Sequence, residues 1–228
     1  MRTMILSLAL QGFLLGAAAA QIAPDAPDIA RYTGLHAAAA AGDVAAIAAE
    51  LTRKAAVDAR DGRGRTPLHV AVFLRRAEAV RTLVAAGADL GALEHQRYDA
   101  VTIAAVANDV AMLRLLIDLG SDARRITSPY DGTALIAAAH LGHDEVVRML
   151  IAAGAPLDHV NKLGWTALIE AVVLGDGGPR HQACIRALLD AGANPNLSDR
   201  DGRTPLALAK SRGYAAVAAM VEAAGGGE

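Results

Sequence analysis

The chain has 228 residues, with 22 Lys plus Arg against 24 Asp plus Glu. The resulting formal charge of −2 gives no pointer to nucleic acid or anionic headgroups, which call for a strongly basic domain or patch. Hydrophobic residues make up 54% and charged residues 20%, too apolar a balance for a disordered chain. Aromatic residues are only 3% and alanine about a quarter, which excludes a core of large rings and points to closely packed helices with few strands.

Met1-Arg2 gives a short positive start, and the segment from Met4 to Leu15 is apolar apart from Ser7, Gln11 and Gly12. Ala18-Ala19-Ala20 then fits a small-residue cleavage site, so residues 1–20 are predicted to be a secretory signal cut after Ala20. The apolar run is shorter than the roughly 20 residues a spanning helix needs, so an uncleaved anchor is the weaker alternative. All but Lys54, Lys162 and Lys210 of the cationic residues are Arg, the mark of a GC-rich bacterial genome. The mature chain, from Gln21, is accordingly expected in the periplasm, with no membrane association after cleavage. Residues 21–31, containing Pro24 and Pro27, read as an N-terminal linker.

From residue 32 the sequence repeats. Thr33-Gly34-Leu35-His36, Thr66-Pro67-Leu68-His69, Thr133-Ala134-Leu135-Ile136, Thr166-Ala167-Leu168-Ile169 and Thr204-Pro205-Leu206-Ala207 share one pattern. The interval is 33 residues between Thr33 and Thr66 and again between Thr133 and Thr166. The 67 residues from Thr66 to Thr133 hold two units if Asp99-Ala100-Val101-Thr102 is a degenerate copy, and the 38 from Thr166 to Thr204 are one unit plus five. A second marker, Ala86-Gly87-Ala88-Asp89, recurs in phase at Leu119, Ala153 and Ala191, giving about six units. In the fourth unit, Asp131-Gly132 marks a turn, Thr133 caps a helix over 134–141, Gly142 breaks it, and a second helix covers 144–152 with Gly154 past its end. Helices this short do not persist alone in water, so stacking on neighbours must hold them.

The run from Asp61-Gly62-Arg63-Gly64-Arg65-Thr66-Pro67-Leu68-His69-Val70-Ala71 to Leu83-Val84-Ala85-Ala86-Gly87-Ala88-Asp89 resembles the ankyrin-repeat family, over about residues 32–224. The resemblance implies an all-α ankyrin-repeat solenoid of stacked helix-turn-helix units with hairpin-like fingers projecting to one side. The units are placed at about 32–60, 61–93, 94–126, 127–160, 161–197 and 198–224, followed by a Gly-rich tail at 225–228. Three departures carry expectations. Arg75 and Asn108 replace the inter-helix glycine found at Gly42, Gly142, Gly175 and Gly213. The third unit lacks Thr-Pro-Leu-His, so its finger is expected to be the least regular. The extra residues around Gly175 to His181 are expected to form a protruding loop and not a longer helix.

Chemistry-bearing residues read as structural. His36 and His69 match the family's motif histidine, which there bonds its own turn and the neighbouring repeat. His140 and His143, even with His181, are weak metal candidates because Gly142 breaks their helical face. Cys184, the only cysteine, aligns with the apolar Val146 and is expected to be an inert core thiol, with no disulfide possible. Glu170 stands where other units carry Val70, Ile103 and Ala137, and is either a solvated surface charge or the seat of a partner's cation. The sequence carries no nucleophile elbow, phosphate loop or metalloprotease motif, so no catalytic, cofactor or metal residue is assigned.

A partner is expected on the fingers and first helices. The fingers hold Arg63, Arg65, Arg97, Tyr98, Arg125, Tyr130, Trp165, Arg200 and Arg203, types that dominate binding hot spots, although Trp165 could instead cover its own turn. Beside them Phe73, Leu74, Val106, Leu141, Val173 and Leu174 form an apolar strip, joined by Glu170. The expected function is a monomeric periplasmic protein-binding module, a scaffold or protector of another exported protein. An immunity protein that blocks a toxin is the alternative, and a metal-dependent enzyme the remote one.

Overall fold

The computed structural model describes residues 21–228 and places thirteen α-helices there, with no strand. The predicted signal lies outside the described residues. A short helix, α1 (Ala26–Arg31), precedes six helix pairs: α2 (Gly34–Ala41) with α3 (Val44–Thr52), α4 (Pro67–Phe73) with α5 (Ala77–Ala85), α6 (Ala100–Val106) with α7 (Val110–Asp118), α8 (Ala134–His140) with α9 (Asp144–Ala152), α10 (Ala167–Val173) with α11 (Pro179–Asp190), and α12 (Pro205–Ser211) with α13 (Ala215–Ala223). First helix packs on first helix from α2 through α12, so each unit leans chiefly on its neighbours in the array.

Residues of one motif position explain the stacking. The third residue of each Thr-x-Leu segment, namely Leu35, Leu68, Val101, Leu135, Leu168 and Leu206, is buried in a single core that runs the length of the array. Burying each such side chain contributes about 1.5–3 kcal/mol, which offsets the weak intrinsic stability of helices this short. Thr66, Thr133, Thr166 and Thr204 each accept a backbone N–H of the first turn, and Asp99 does the same in the third unit, so the degenerate copy keeps its cap. His69 bonds Thr66 through Nδ1 and the carbonyls of Ala92 and Tyr98 through Nε2, and His36 reaches the Arg65 carbonyl. The two histidines thus tie one unit to the next.

Several expectations are corrected. The segment read as a linker contains α1, because Pro27 sits in its first turn, where no amide hydrogen is needed, and Asp25 caps it. The turns at Asn108 and Arg75 need no correction: Asn108 takes the positive φ that asparagine tolerates, 50°, and Arg75 strains into the same left-handed conformation as Gly42, Gly142 and Gly213, at 57°. Gly175 does not adopt it; a Cβ there would collide with the Ala171 carbonyl, and the left-handed residue between the two helices of the fifth unit is Gly177, φ 69°. The extra residues also lengthen the second helix: α11 has 12 residues where the other second helices have 9, since Pro179 preorganises its first turn. The Gly-rich tail is pinned on the last finger, with the Gly227 amide on Asn196 and the Thr204 hydroxyl on the Gly227 carbonyl.

Candidate docking groove

The fingers are built from one local device. In each, a side-chain oxygen accepts the backbone N–H groups two and four residues later: Asp61 from Arg63 and Arg65, Glu94 from Gln96 and Tyr98, Ser128 from Tyr130 and Gly132, Asn161 from Leu163 and Trp165, Asp199 from Asp201 and Arg203. Glu94 does this with one more methylene than aspartate, so the third finger is as regular as its neighbours, contrary to the sequence expectation. The irregular finger is the fourth. There Thr127 donates to the Gly132 carbonyl across one residue more than Asp61 to Arg65, and Ser128 and Asp131 take φ of 67° and 51°. Backbone bonds from His95 to Arg63, Ser128 to Arg97 and Lys162 to Tyr130 link successive fingers.

Several residues expected on the binding edge lie elsewhere. Arg65 is 1% exposed: its guanidinium bonds Asp61 at 2.6 Å and Asp28 at 2.7 Å, so it is an internal clamp and not a free contact. Tyr98 is buried, its phenol pushed up to about 12 by desolvation and then by Glu94 and Tyr130. Trp165 and Phe73 are half-buried against the core, Trp165 in line with the structural alternative, and Val173 is buried. Arg125 and Arg200 extend back along the array to the carbonyls of Gly91 and Lys162, and Arg203 folds onto Asp199. Arg63 and Arg97 are exposed, each lying within ion-pair reach of an aspartate, Asp28 and Asp131 respectively. Tyr130, Leu74, Leu141 and Leu174 remain partly open on the first-helix side.

Glu170 is neither solvated nor unpartnered. It is 4% exposed, with Oε1 accepting from Asn161 Nδ2 at 2.8 Å and Oε2 3.2 Å from His140 Nδ1. The imidazoles considered as metal ligands go to separate partners: His143 Nδ1 to the Ala105 carbonyl, and His181 to Asp176 and the His140 carbonyl. Cys184 is fully buried and its thiol is pushed up to about 12 by desolvation, then by Asp144.

Around Glu170 the groove deepens into a cavity of about 80 Å³ whose walls include Tyr98, Thr102, Tyr130, His140, Asn161 and Glu170. Its cause lies in the fourth unit. The residue before the helix cap is Tyr32, Arg65, Tyr98, Trp165 or Arg203 in the other units but Gly132 here. The fourth helical residue is Val70, Ile103 or Leu208 in three units and Glu170 in the fifth, but only Ala137 here, as small as Ala37 of the terminal first unit, and His140 replaces Phe73, Val106 and Val173. Missing volume at Gly132 and Ala137 opens the hollow; His140 and Glu170 make one wall polar. Sequence reading named Glu170 as an inner-face carboxylate but passed over Gly132, Ala137, Asn161 and Thr102. Setting the units in register would have exposed the first two as gaps.

A family model of ankyrin repeats matches residues 8–94 and 101–199. The chain is 33% identical to a putative ankyrin repeat protein of Escherichia coli K12 over 185 residues, which are 81% of this chain and 92% of that one. An ankyrin repeat domain from Acinetobacter baumannii AYE superposes with a TM-score of 0.80 at 44% identity, covering 85% of this chain and 98% of the other. A chain from the complex of a Bdellovibrio bacteriovorus predatory endopeptidase with an immunity protein shares the fold at 24% identity, with a TM-score of 0.70 over 84% of this chain and 98% of its own. Ankyrin repeats mediate protein–protein interaction and are typically non-catalytic. With its six stacked helix pairs and linked fingers, this chain belongs to the ankyrin-repeat family.

Proposed function

We propose that the protein is a non-enzymatic, monomeric binding module that works outside the cytoplasm and grips one other exported protein in the groove formed by its fingers and first helices. The observation that carries this reading is the convergence of Gly132, Ala137, His140 and Glu170. The residues that break the array's own pattern meet at one open place, where a purely structural array would be filled. A half-open aromatic, Tyr130, and the aliphatic Leu141 and Leu174 rim it, the mixture of apolar anchor and polar tip found at interface centres. Support for the location comes from the N-terminal residues, with their positive start, apolar run and small-residue site.

The test is affinity capture from periplasmic extract with the purified protein as bait, comparing wild type with Tyr130→Ala/Leu174→Ala and with a control, Arg81→Ala, on the opposite helix layer. A partner retained by wild type and control but lost by the groove variant supports the reading. Equal recovery by all three sinks it. A blocking role is a special case of the same groove, favoured by the endopeptidase complex among the neighbours. It requires the captured partner to be an enzyme that loses activity on binding.

A further inference from the structure

The hollow beside Glu170 is already occupied at its mouth by the chain itself. Gln21 lines it, and the next residue is anchored, the Ile22 carbonyl accepting from Arg65 Nη1 at 3.2 Å. Arg65 also holds Asp28 within α1, so Ile22 and α1 are both tied to the second finger. Yet the occupant fits badly. The Gln21 carboxamide Nε2 is buried without an acceptor, which costs about 1–3 kcal/mol, although an acidic group lines the same cavity.

That acidic group has capacity to spare. An ionised carboxylate offers about four acceptor positions; Asn161 takes one of those on Glu170, and His140 Nδ1 lies 3.2 Å from its other oxygen. Among the described residues no Lys or Arg pairs with Glu170; the His140 imidazole is its one ion-pair neighbour. A carboxylate 4% exposed and without a full cation nearby is an expensive arrangement unless a ligand completes it. The remaining walls include Tyr98 and Tyr130, whose ring faces suit a flat cation, and the volume of about 80 Å³ admits the tip of one side chain and little more.

From these residues we infer that the hollow is a subsite for one cationic side chain, an arginine, carried on an extended segment of the partner, and that Gln21 is the resident which this segment displaces. A guanidinium reaches where the amide of Gln21 does not, and its fork matches the open positions of a carboxylate. The inference rests on the groove being a protein-binding face and adds the chemistry of what enters it.

The experiment uses isothermal titration of the purified protein with two capped pentapeptides, Ala-Ala-Arg-Ala-Ala and the same peptide with citrulline, the neutral isostere of arginine. Wild type is expected to bind the arginine peptide at least tenfold more tightly. Glu170→Gln, which keeps the shape and the Asn161 contact, is expected to erase that preference, and Ala137→Leu, which fills the hollow, to weaken the arginine peptide at least tenfold. Gln21→Ala is expected to strengthen arginine binding several-fold. Equal affinities for the two peptides in wild type, or a preference that survives in Glu170→Gln, overturns the inference. The two readings fail separately. Partner capture that is lost in Tyr130→Ala/Leu174→Ala but unchanged in Glu170→Gln removes the arginine subsite and leaves the binding module standing.

Discussion

Arg65 and Asp28 lie 37 residues apart in sequence and are joined by a 2.7 Å bond between Nη2 and Oδ2, with Asp61 holding the same guanidinium from the other side at 2.6 Å. The Tyr32 hydroxyl donates to the same Asp61 oxygen, Oδ2, at 2.8 Å, so the N-terminal segment and the second finger share one buried charge network. Arg65→Ala strips both carboxylates of their cation. Breaking a buried pair from one side costs about 3–5 kcal/mol, and the expected result is early unfolding of the first two units with release of residues 21–31. Hydrogen exchange would show protection lost in α1 to α4 ahead of α8 to α12. Uniform protection would refute the clamp.

The same network sets an acid limit. Asp28 is held below its ordinary value first by its hydrogen bond to Arg65; burial pushes Asp61 up, but the bonds from Arg65, Tyr32 and the finger amides outweigh it and leave it lowered. Carboxylates depressed in the folded state stabilise it fully above the ordinary aspartate value of about 3.9, and that contribution fades as pH falls through the folded values. Urea midpoints of wild type should therefore drop steeply below about pH 4, and those of Asp28→Asn less steeply.

His69 acts in a higher window. Burial is the largest influence and pushes its imidazole down to about 4 from 6.5, against the carbonyls of Tyr98 and Ala92, which favour the cation. Between those values the unfolded chain binds the proton and the folded chain does not, so stability is intact above pH 6.5 and falls toward pH 4. The loss across that window is on the order of 3 kcal/mol. Denaturation at pH 7 and pH 4.5 should show this slope in wild type and a smaller one in His69→Asn, which is less stable throughout but lacks the titrating ring.

Arg75 holds φ of 57° where Gly42, Gly142 and Gly213 stand in other units, and its ion pair to Asp109 is made by a side chain two-thirds exposed. Surface pairs of this kind contribute little, so Arg75→Gly should raise stability by about 1 kcal/mol through relief of backbone strain. Gly142→Ala should do the reverse by about 1–2 kcal/mol, since φ there is 68° and a Cβ would press on the His181 ring at 3.1 Å. Paired melting curves of the two variants check both signs.

Cys184, buried between the fourth and sixth units with a thiol pushed up to about 12, should resist a thiol reagent in the native protein and react completely in urea. Its labelling rate under native conditions would report the opening of the fifth unit alone. Rapid native labelling would contradict the burial.

Much of the architecture was readable because its determinants are local and recur: Leu68 and its counterparts, the capping Thr residues and the glycine turns each announce themselves once per unit. Asp99 could be recognised as the cap of a degenerate copy for the same reason. What failed depended on partners distant in sequence. Arg65 looks like a surface cation until Asp28 is brought onto it, and Tyr98 like an exposed anchor until the neighbouring unit covers it. The fate of residues 175–181 turned on Pro179, whose fixed φ suits a helix start as well as a loop. The Glu170 cavity was half legible, because an inner-face carboxylate shows in one unit while a missing side chain at Gly132 shows only against the others.

Because Gly132 and Ala137 belong to one unit and the helix and finger walls around them to its immediate neighbours, the cavity is built by three consecutive modules, with Gln21 added at its mouth. Duplication or loss of a whole unit at the C-terminal end would change the reach of the grip while leaving its selectivity untouched. Conversely, recombination inside the middle three would alter selectivity at nearly constant stability. Evolution can therefore tune what this protein holds and how much of it is held along two separate axes.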